Sequence, residues 1–220
     1  MKKNKALVAL MTVLLALGMV SASSAAPFQL SLVTPIQIIS SDAPVHGLAI
    51  NLIYGLNSEV IGGDIGVINA VSGNEAGFML GAINYIGSDA TTFQCGLINW
   101  VGGNVGGVQE SLINWVGGDL IGGQAAVINL VGGNVEGLQF AGINYAGGDV
   151  SGSQIGLINV AGDLQGWQLG AINYSIAATG FQLGVINYTG MLDGLQIGAL
   201  NFAMEKESMW KCLPIVNAGW

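Results

Sequence analysis

The chain contains no arginine, and of its 5 lysines Lys2, Lys3 and Lys5 stand at the very start. Only Lys206 and Lys211 follow, against 13 acids. Nucleic-acid binding depends on cationic side chains displacing phosphate counterions, so this balance argues against a nucleic-acid partner. It favours a soluble, self-repelling acidic surface instead. Histidine occurs once, as His46, and cysteine twice, as Cys95 and Cys212. Metal sites want several converging ligands, and a nucleophile triad wants a base held by an acid beside Ser or Cys. Neither can be assembled around His46, and two cysteines make no disulfide framework. No catalytic residue, cofactor or metal site is therefore expected, and the chain reads as a non-enzyme. Charged residues make up 8% of the chain, while glycine occurs 36 times. A soluble helix usually carries a charged face, and each internal glycine costs it roughly 1 kcal/mol. Helices are not expected beyond the N-terminal stretch, which leaves an all-β chain.

That stretch has its own logic. Lys2, Lys3 and Lys5 form a basic start, residues 6–20 are uncharged and apolar, and residues 21–26 are small and polar. The order reads as a secretory signal peptide over residues 1–25. A cut after Ala25 puts Ser23 and Ala25 at the small-residue positions; a cut after Ala26 would leave Pro27 first and fits less well. No cysteine lies near the cut, which disfavours a lipid-anchored form. The alternative, an uncleaved anchor, has an apolar run that is short for a spanning helix. Export to the cell surface or outer membrane is the expected address.

What the rest of the chain has in abundance is repetition. Asn51, Asn69, Asn84, Asn99, Asn114, Asn129, Asn144, Asn159, Asn173, Asn187 and Asn201 all follow an aliphatic residue, at spacings of 18, then 15, then 14. Five residues before most of them stands glutamine, from Gln94 to Gln196, with His46, Asp64 and Met79 in that place in the earlier copies. An apolar stretch with a small residue lies between, as in Gln154-Ile-Gly-Leu-Ile-Asn159, and a glycine turn such as Val-Gly-Gly-Asn104 follows. A fixed period of this kind marks a repeat architecture. A weaker period of five resembles pentapeptide-repeat proteins, but the shortening from fifteen to fourteen breaks it, so the longer unit is the true one. The repeats occupy 46–203, with 26–45 as an N-terminal strand or cap and 204–220 as a C-terminal cap or strand.

Two all-β architectures fit. In a β-solenoid each repeat is one coil of 14–15 residues, and equivalent residues stack in columns about 4.8 Å apart. Stacked amides then satisfy one another, making Asn84, Asn99, Asn114, Asn129, Asn144, Asn159, Asn173, Asn187 and Asn201 a structural ladder. In an antiparallel outer-membrane β-barrel each repeat is a strand, the glycine turns are hairpins and the aromatics are girdles. Gln and Asn lie an odd number of residues apart, so a single continuous strand would turn one of them toward lipid, which is costly. The alternation of Asn74, Asp89, Asn104, Asp119, Asn134 and Asp149 at the turn keeps like charges apart in a solenoid. The solenoid accounts for more of the pattern, and the barrel remains the alternative.

The same alternation, read through Phe181, Leu183 and Val185, places an apolar face on the inside of each strand. Glu110 interrupts it. Cys95, equivalent to Phe140 and Ile155, is then expected to point inward and resist alkylation, and stacked coils would hold Cys95 and Cys212 too far apart to bridge. The column after the asparagine, Tyr85, Trp100, Trp115, Tyr145, Tyr174, Tyr188 and Phe202, is core or girdle if covered. If exposed, it is an interaction stripe for a carbohydrate or protein partner. The glycine-aspartate turns offer one acid each, too few for the oxygen cage of calcium-binding repeats. Threonine ranks of the antifreeze kind are missing.

The segment Pro27-Phe-Gln-Leu-Ser-Leu, the phrase Leu52-Ile-Tyr-Gly55, the recurring Gln-x-Gly-x-Ile-Asn and the ending Leu213-Pro-Ile-Val-Asn217 together resemble a bacterial family of surface-repeat proteins. The resemblance covers nearly all of the chain after the signal peptide. It implies a surface or envelope location and carries over no catalytic residue. The expected role is an exported envelope scaffold or surface interaction module. The alternative role is an outer-membrane barrel, and an enzyme on a β-helix is disfavoured.

Overall fold

The computed structural model describes residues 25–219, so nearly all of the expected signal peptide, and Trp220, lie outside the described residues. Among the described residues every regular element is a strand. The chain divides between Gly103 and Asn104 into two compact units, and each is a stack of parallel β-coils.

The first unit holds β1 (Ala26–Val33), β2 (Ile36–Gln37), β3 (Val45–Asn57), β4 (Val60–Val71), β5 (Glu75–Leu80), β6 (Ile83–Ile86), β7 (Ala90–Cys95) and β8 (Ile98–Val101). The second opens with β9 (Val105–Glu110), β10 (Ile113–Val116), β11 (Leu120–Ala125), β12 (Ile128–Val131), β13 (Val135–Phe140), β14 (Ile143–Ala146) and β15 (Val150–Ile155). It continues with β16 (Ile158–Val160), β17 (Asp163–Leu169), β18 (Ile172–Leu183), β19 (Ile186–Leu192), β20 (Gly194–Ala203) and β21 (Cys212–Gly219). A regular coil is one six-residue strand, a corner, one four-residue strand and a turn. β11 pairs with β13 in parallel, Gln124 opposite Gln139, and β12 pairs with β14, Asn129 opposite Asn144. Parallel pairing at this register makes a β-solenoid with coils of 14–15 residues and rules out the antiparallel barrel.

The alternation in each repeat is interrupted by the corner. Gln124 is the fifth residue of β11 and Asn129 the second of β12; the corner at Ala126 and Val127 resets the parity, so both amides point inward. A regular coil therefore contributes four inward side chains: an apolar pair near the turn, such as Leu120 and Val131, and an amide pair near the corner. The apolar residues that flank each glutamine and asparagine face outward. This reverses the expected orientation: Phe140 and Val185 are exposed, and Cys95 is an exposed thiol, as is Cys212.

Coil stacking is tight enough to favour glycine along one column, where Thr92 in the first unit is an exception. Gly122 has φ +136°, and a Cβ there would sit 2.0 Å from the Gly107 carbonyl oxygen of the coil before it. Its neighbour Gly123 faces open space, with nothing closer than 3.9 Å to such a Cβ.

The first coils depart from the regular pattern. His46 pairs with Ile61, and Ala49 with Asp64, so the glutamine column runs Gln29, Ala49, Asp64, Met79, Gln94 and His46 lies outside it. His46 points to the surface, 3.8 Å from Glu59. The 18-residue spacing after Asn51 has a local cause. The backbone opposite Asn69 belongs to Gly55. A Cβ on Gly55 would collide with Asn51 Oδ1 at 1.7 Å. Glycine thus vacates a slot that the Asn51 side chain fills from a bulge four residues upstream.

Both ends of the chain carry antiparallel strands against the parallel stack. β2 folds back on β1, Ser31 opposite Gln37. β21 runs across β20 from Gly194 to Phe202, so it covers both halves of the last coil. Such strands occupy hydrogen-bonding edges that would otherwise template aggregation. Lys206 helps hold the second, donating from Nζ to Asn217 Oδ1 at 2.7 Å and to the Ala218 carbonyl.

Substituting Gly122→Ala is expected to destabilise the protein by at least roughly 1–3 kcal/mol, the cost of holding a non-glycine residue at such a φ, with the carbonyl clash in addition. Gly123→Ala, one residue away, should leave the melting temperature within a degree or two. Equal melting temperatures for the two variants would contradict the coil geometry.

Candidate functional site

The interior is built from side-chain amides. In the second unit Gln124 Nε2 donates to Gln109 Oε1 at 2.7 Å, and the same contact repeats from Gln139, Gln154, Gln168, Gln182 and Gln196, each to the coil before. The asparagines run the other way. Asn114 Nδ2 donates to Asn129 Oδ1, Asn129 to Asn144, Asn144 to Asn159, and so on to Asn201. The two columns of amide dipoles are thus antiparallel and offset each other's field. Each asparagine also spends a donor on a backbone carbonyl, as Asn144 does on Ile155 at 3.0 Å. In the first unit Asn51, Asn69, Asn84 and Asn99 form the same ladder. These buried side chains hydrogen-bond chiefly to one another and to the backbone of the neighbouring coil.

Two buried acids interrupt that order, and sequence reasoning missed what they are. Asp64 stands in the glutamine column between Ala49 and Met79, and Glu75 in the apolar column between Val60 and Ala90. Both are buried. Asp64 Oδ1 accepts from Asn51 Nδ2 at 2.6 Å, while Asp64 Oδ2 has no hydrogen-bond partner and Glu75 meets only the Thr92 side chain. Burial, with the Glu75 charge adding to it, pushes the Asp64 carboxyl up to about 8. Burial pushes Glu75 up to about 7. Their presence in columns otherwise held by Gln and Val was the signal available in the sequence. Among the described residues no three His, Cys, Asp or Glu side chains converge to hold a metal.

The exterior holds the remaining candidate. The column after the asparagine is at the surface: Tyr85, Trp100, Trp115, Tyr145 and Tyr174 are exposed, and Tyr188 and Phe202 half-buried. Within the second unit Tyr174 and Tyr188 stack at 5.2 Å with planes 6° apart, and Phe202 tilts against Tyr188 at 6.3 Å. Where the column narrows to Leu130, a shallow groove of about 110 Å³ opens between Trp115 and Tyr145. On the opposite face Trp167 and Phe181 meet edge to face at 6.3 Å. The turn edge is different again. Asn134 accepts the Asp149 backbone N–H at 2.8 Å and Asp119 accepts that of Asn134 at 2.7 Å, both exposed. The Asn/Asp alternation thus forms a polar backbone-binding ladder along that edge.

Comparison with protein families, with curated proteins and with solved structures finds no match to this chain.

Two outcomes follow from this interior. Asn129→Leu orphans the Asn144 acceptor and takes a partner from Asn114, and it should cost about 1–3 kcal/mol; Asn134→Ala, at the exposed turn, should cost clearly less by urea denaturation. The acids give a pH dependence of defined sign. Each has its folded pKa raised above its unfolded value of 3.8 or 4.5, so the folded state holds extra protons between those values and about 8. Stability therefore falls as pH rises through that window. Asp64→Asn should flatten the slope and raise the melting temperature at pH 8; an unchanged slope would contradict the buried-acid assignment.

Proposed function

We propose that the protein is an exported cell-envelope component that acts as a rigid, non-catalytic scaffold and presents a repetitive surface for interaction. The observation that carries this reading is the division of labour between inside and outside. The interior amides are consumed in holding coils together, while aromatic and aliphatic side chains stand in ranks on the exterior, where a partner can meet the same group at every coil. Exposed apolar patches of this extent mark interaction surfaces. Residues 1–25 support export, and the resemblance to bacterial surface-repeat proteins supports an envelope location. The partner is an envelope component, a carbohydrate or a protein, and no nucleic acid, given two lysines and no arginine after residue 25.

Export is checked directly. Mass spectrometry of the protein from the envelope fraction should give a mature N-terminus at Ala26. Recovery from the cytoplasm with Met1 intact would overturn the envelope reading.

A further inference from the structure

The corner side chains of the second unit are exposed, and the order of residues on either side of the corner points to what covers it. In the second unit the corner and its flanks read Phe140-Ala-Gly-Ile143, Ile155-Gly-Leu-Ile158, Leu169-Gly-Ala-Ile172 and Leu183-Gly-Val-Ile186. At the corner itself Leu112 is 53% exposed, Val127 56%, Leu157 67% and Val185 57%. One position further from the corner on one face come Trp115, Tyr145 and Tyr174, and on the other Trp167. The acids Asp119, Asp149 and Asp163 lie on the opposite edge, at the turn. Glu110, in the first coil of the unit, is the one charge in the corner and flanking columns.

We infer that this corner edge is a lipid-docking ridge, inserted into one leaflet of a bilayer with the aromatic column at headgroup level. This rests on the interaction-module reading above and names its partner as a lipid surface. The charge partition is the first argument: an edge whose single charge is Glu110, in the first coil of the unit, complements hydrocarbon, and an acidic edge complements water. The second is continuity. Leu112, Val127, Phe140, Leu157 and Val185 are each more than half exposed and stand next to one another along the ridge, the contiguous apolar surface that marks an interaction site. The third is shape. A corner is convex, so a rigid second copy would touch it along a line, whereas fluid acyl chains close around it and cover all three columns. The fourth is depth. At about 3.3 Å per residue the aromatic column stands roughly 10 Å from the corner, inside the ~15 Å of one leaflet's hydrocarbon. Trp and Tyr prefer that boundary, with ring in the apolar layer and polar tip in the wet one. The backbone N–H groups at the corner are met: Gly156 N donates to Leu169 O, and Leu157 N and Ile158 N to Gly142 O, which lowers the cost of placing them in hydrocarbon.

The absence of cations on this edge sets the lipid preference. Binding is driven by apolar burial alone, so neutral phosphatidylcholine vesicles are favoured over phosphatidylglycerol ones, which repel the acidic chain. The test is flotation of the full chain lacking residues 1–25 with each vesicle type. Wild type should float with phosphatidylcholine and less with phosphatidylglycerol, and brominated acyl chains should quench its tryptophan emission. The double variant Leu157→Glu with Val185→Glu alters only exposed side chains, and it should lower partitioning roughly tenfold or more. Ile121→Glu, which adds a charge at an exposed position one residue from the start of its coil and far from the corner, should float as wild type does. Circular dichroism of each variant confirms folding. A folded wild-type protein that fails to float overturns the lipid ridge. So does a concentration-dependent dimer that the double variant dissociates without any vesicle binding, which would assign the edge to a second copy. Envelope fractionation separates the two ideas: a chain that is exported but does not float leaves the scaffold reading standing and removes only the lipid.

Discussion

The regular coils of this protein depend on buried amide side chains that meet an identical amide one coil away. A glutamine or asparagine buried alone would forfeit its hydrogen bonds to water, at a cost of about 1–3 kcal/mol for each unmet group. Stacked at the strand spacing of about 4.8 Å, the same group finds a donor on one side and an acceptor on the other. The interaction is thus available only in register. A slip of one residue would remove both ladders from the interior together, which is why the amide columns specify the coil length as well as stabilise it.

Filling half the interior with amides displaces apolar residues to the surface. A regular coil has four inward positions, two apolar and two amide, so the remaining Ile, Leu and aromatic side chains of the repeat face outward. The resulting surface is graded from an uncharged corner through an aromatic column to an acidic turn. The shortening from fifteen to fourteen residues falls at the turn: Asn144 stacks on Asn159 and Asn159 on Asn173 with the same 2.9 Å contact on either side of the change. Deletions are absorbed where no column has to be maintained.

The ends and the irregular coils show the same constraint from its failures. A ladder must stop, and at its last rung Gln196 Oε1 is left without a partner beneath the antiparallel β21. In the first unit the glutamine column gives way to Met79, Asp64 and Ala49. There the interior holds carboxyl groups instead, and protonation takes over part of the role that hydrogen bonding plays elsewhere.

How much of this was legible beforehand depended on whether a feature belongs to one coil or to the contact between coils. The period, the all-β class, the stacked asparagines of the regular repeats and the polar turn follow from composition and spacing, because each repeats often enough to read. The solenoid was already the better fit to the spacing of the amides, and the parallel pairing of successive coils decides it against the barrel. The direction each side chain faces did not follow. Parity counted along one continuous strand set Gln124 and Asn129 on opposite sides and turned Phe140 and Cys95 inward, whereas the bend at Ala126 and Val127 reverses the count. The places of His46 and Asn51 were hidden for a related reason: a bulge moved the backbone register, and Gly55 admitted a side chain from four residues away. The sequence by itself determined which residues recur and at what interval; the tertiary structure decided which of them meet, because a corner and a neighbouring coil are properties of the stacked chain and of no single repeat.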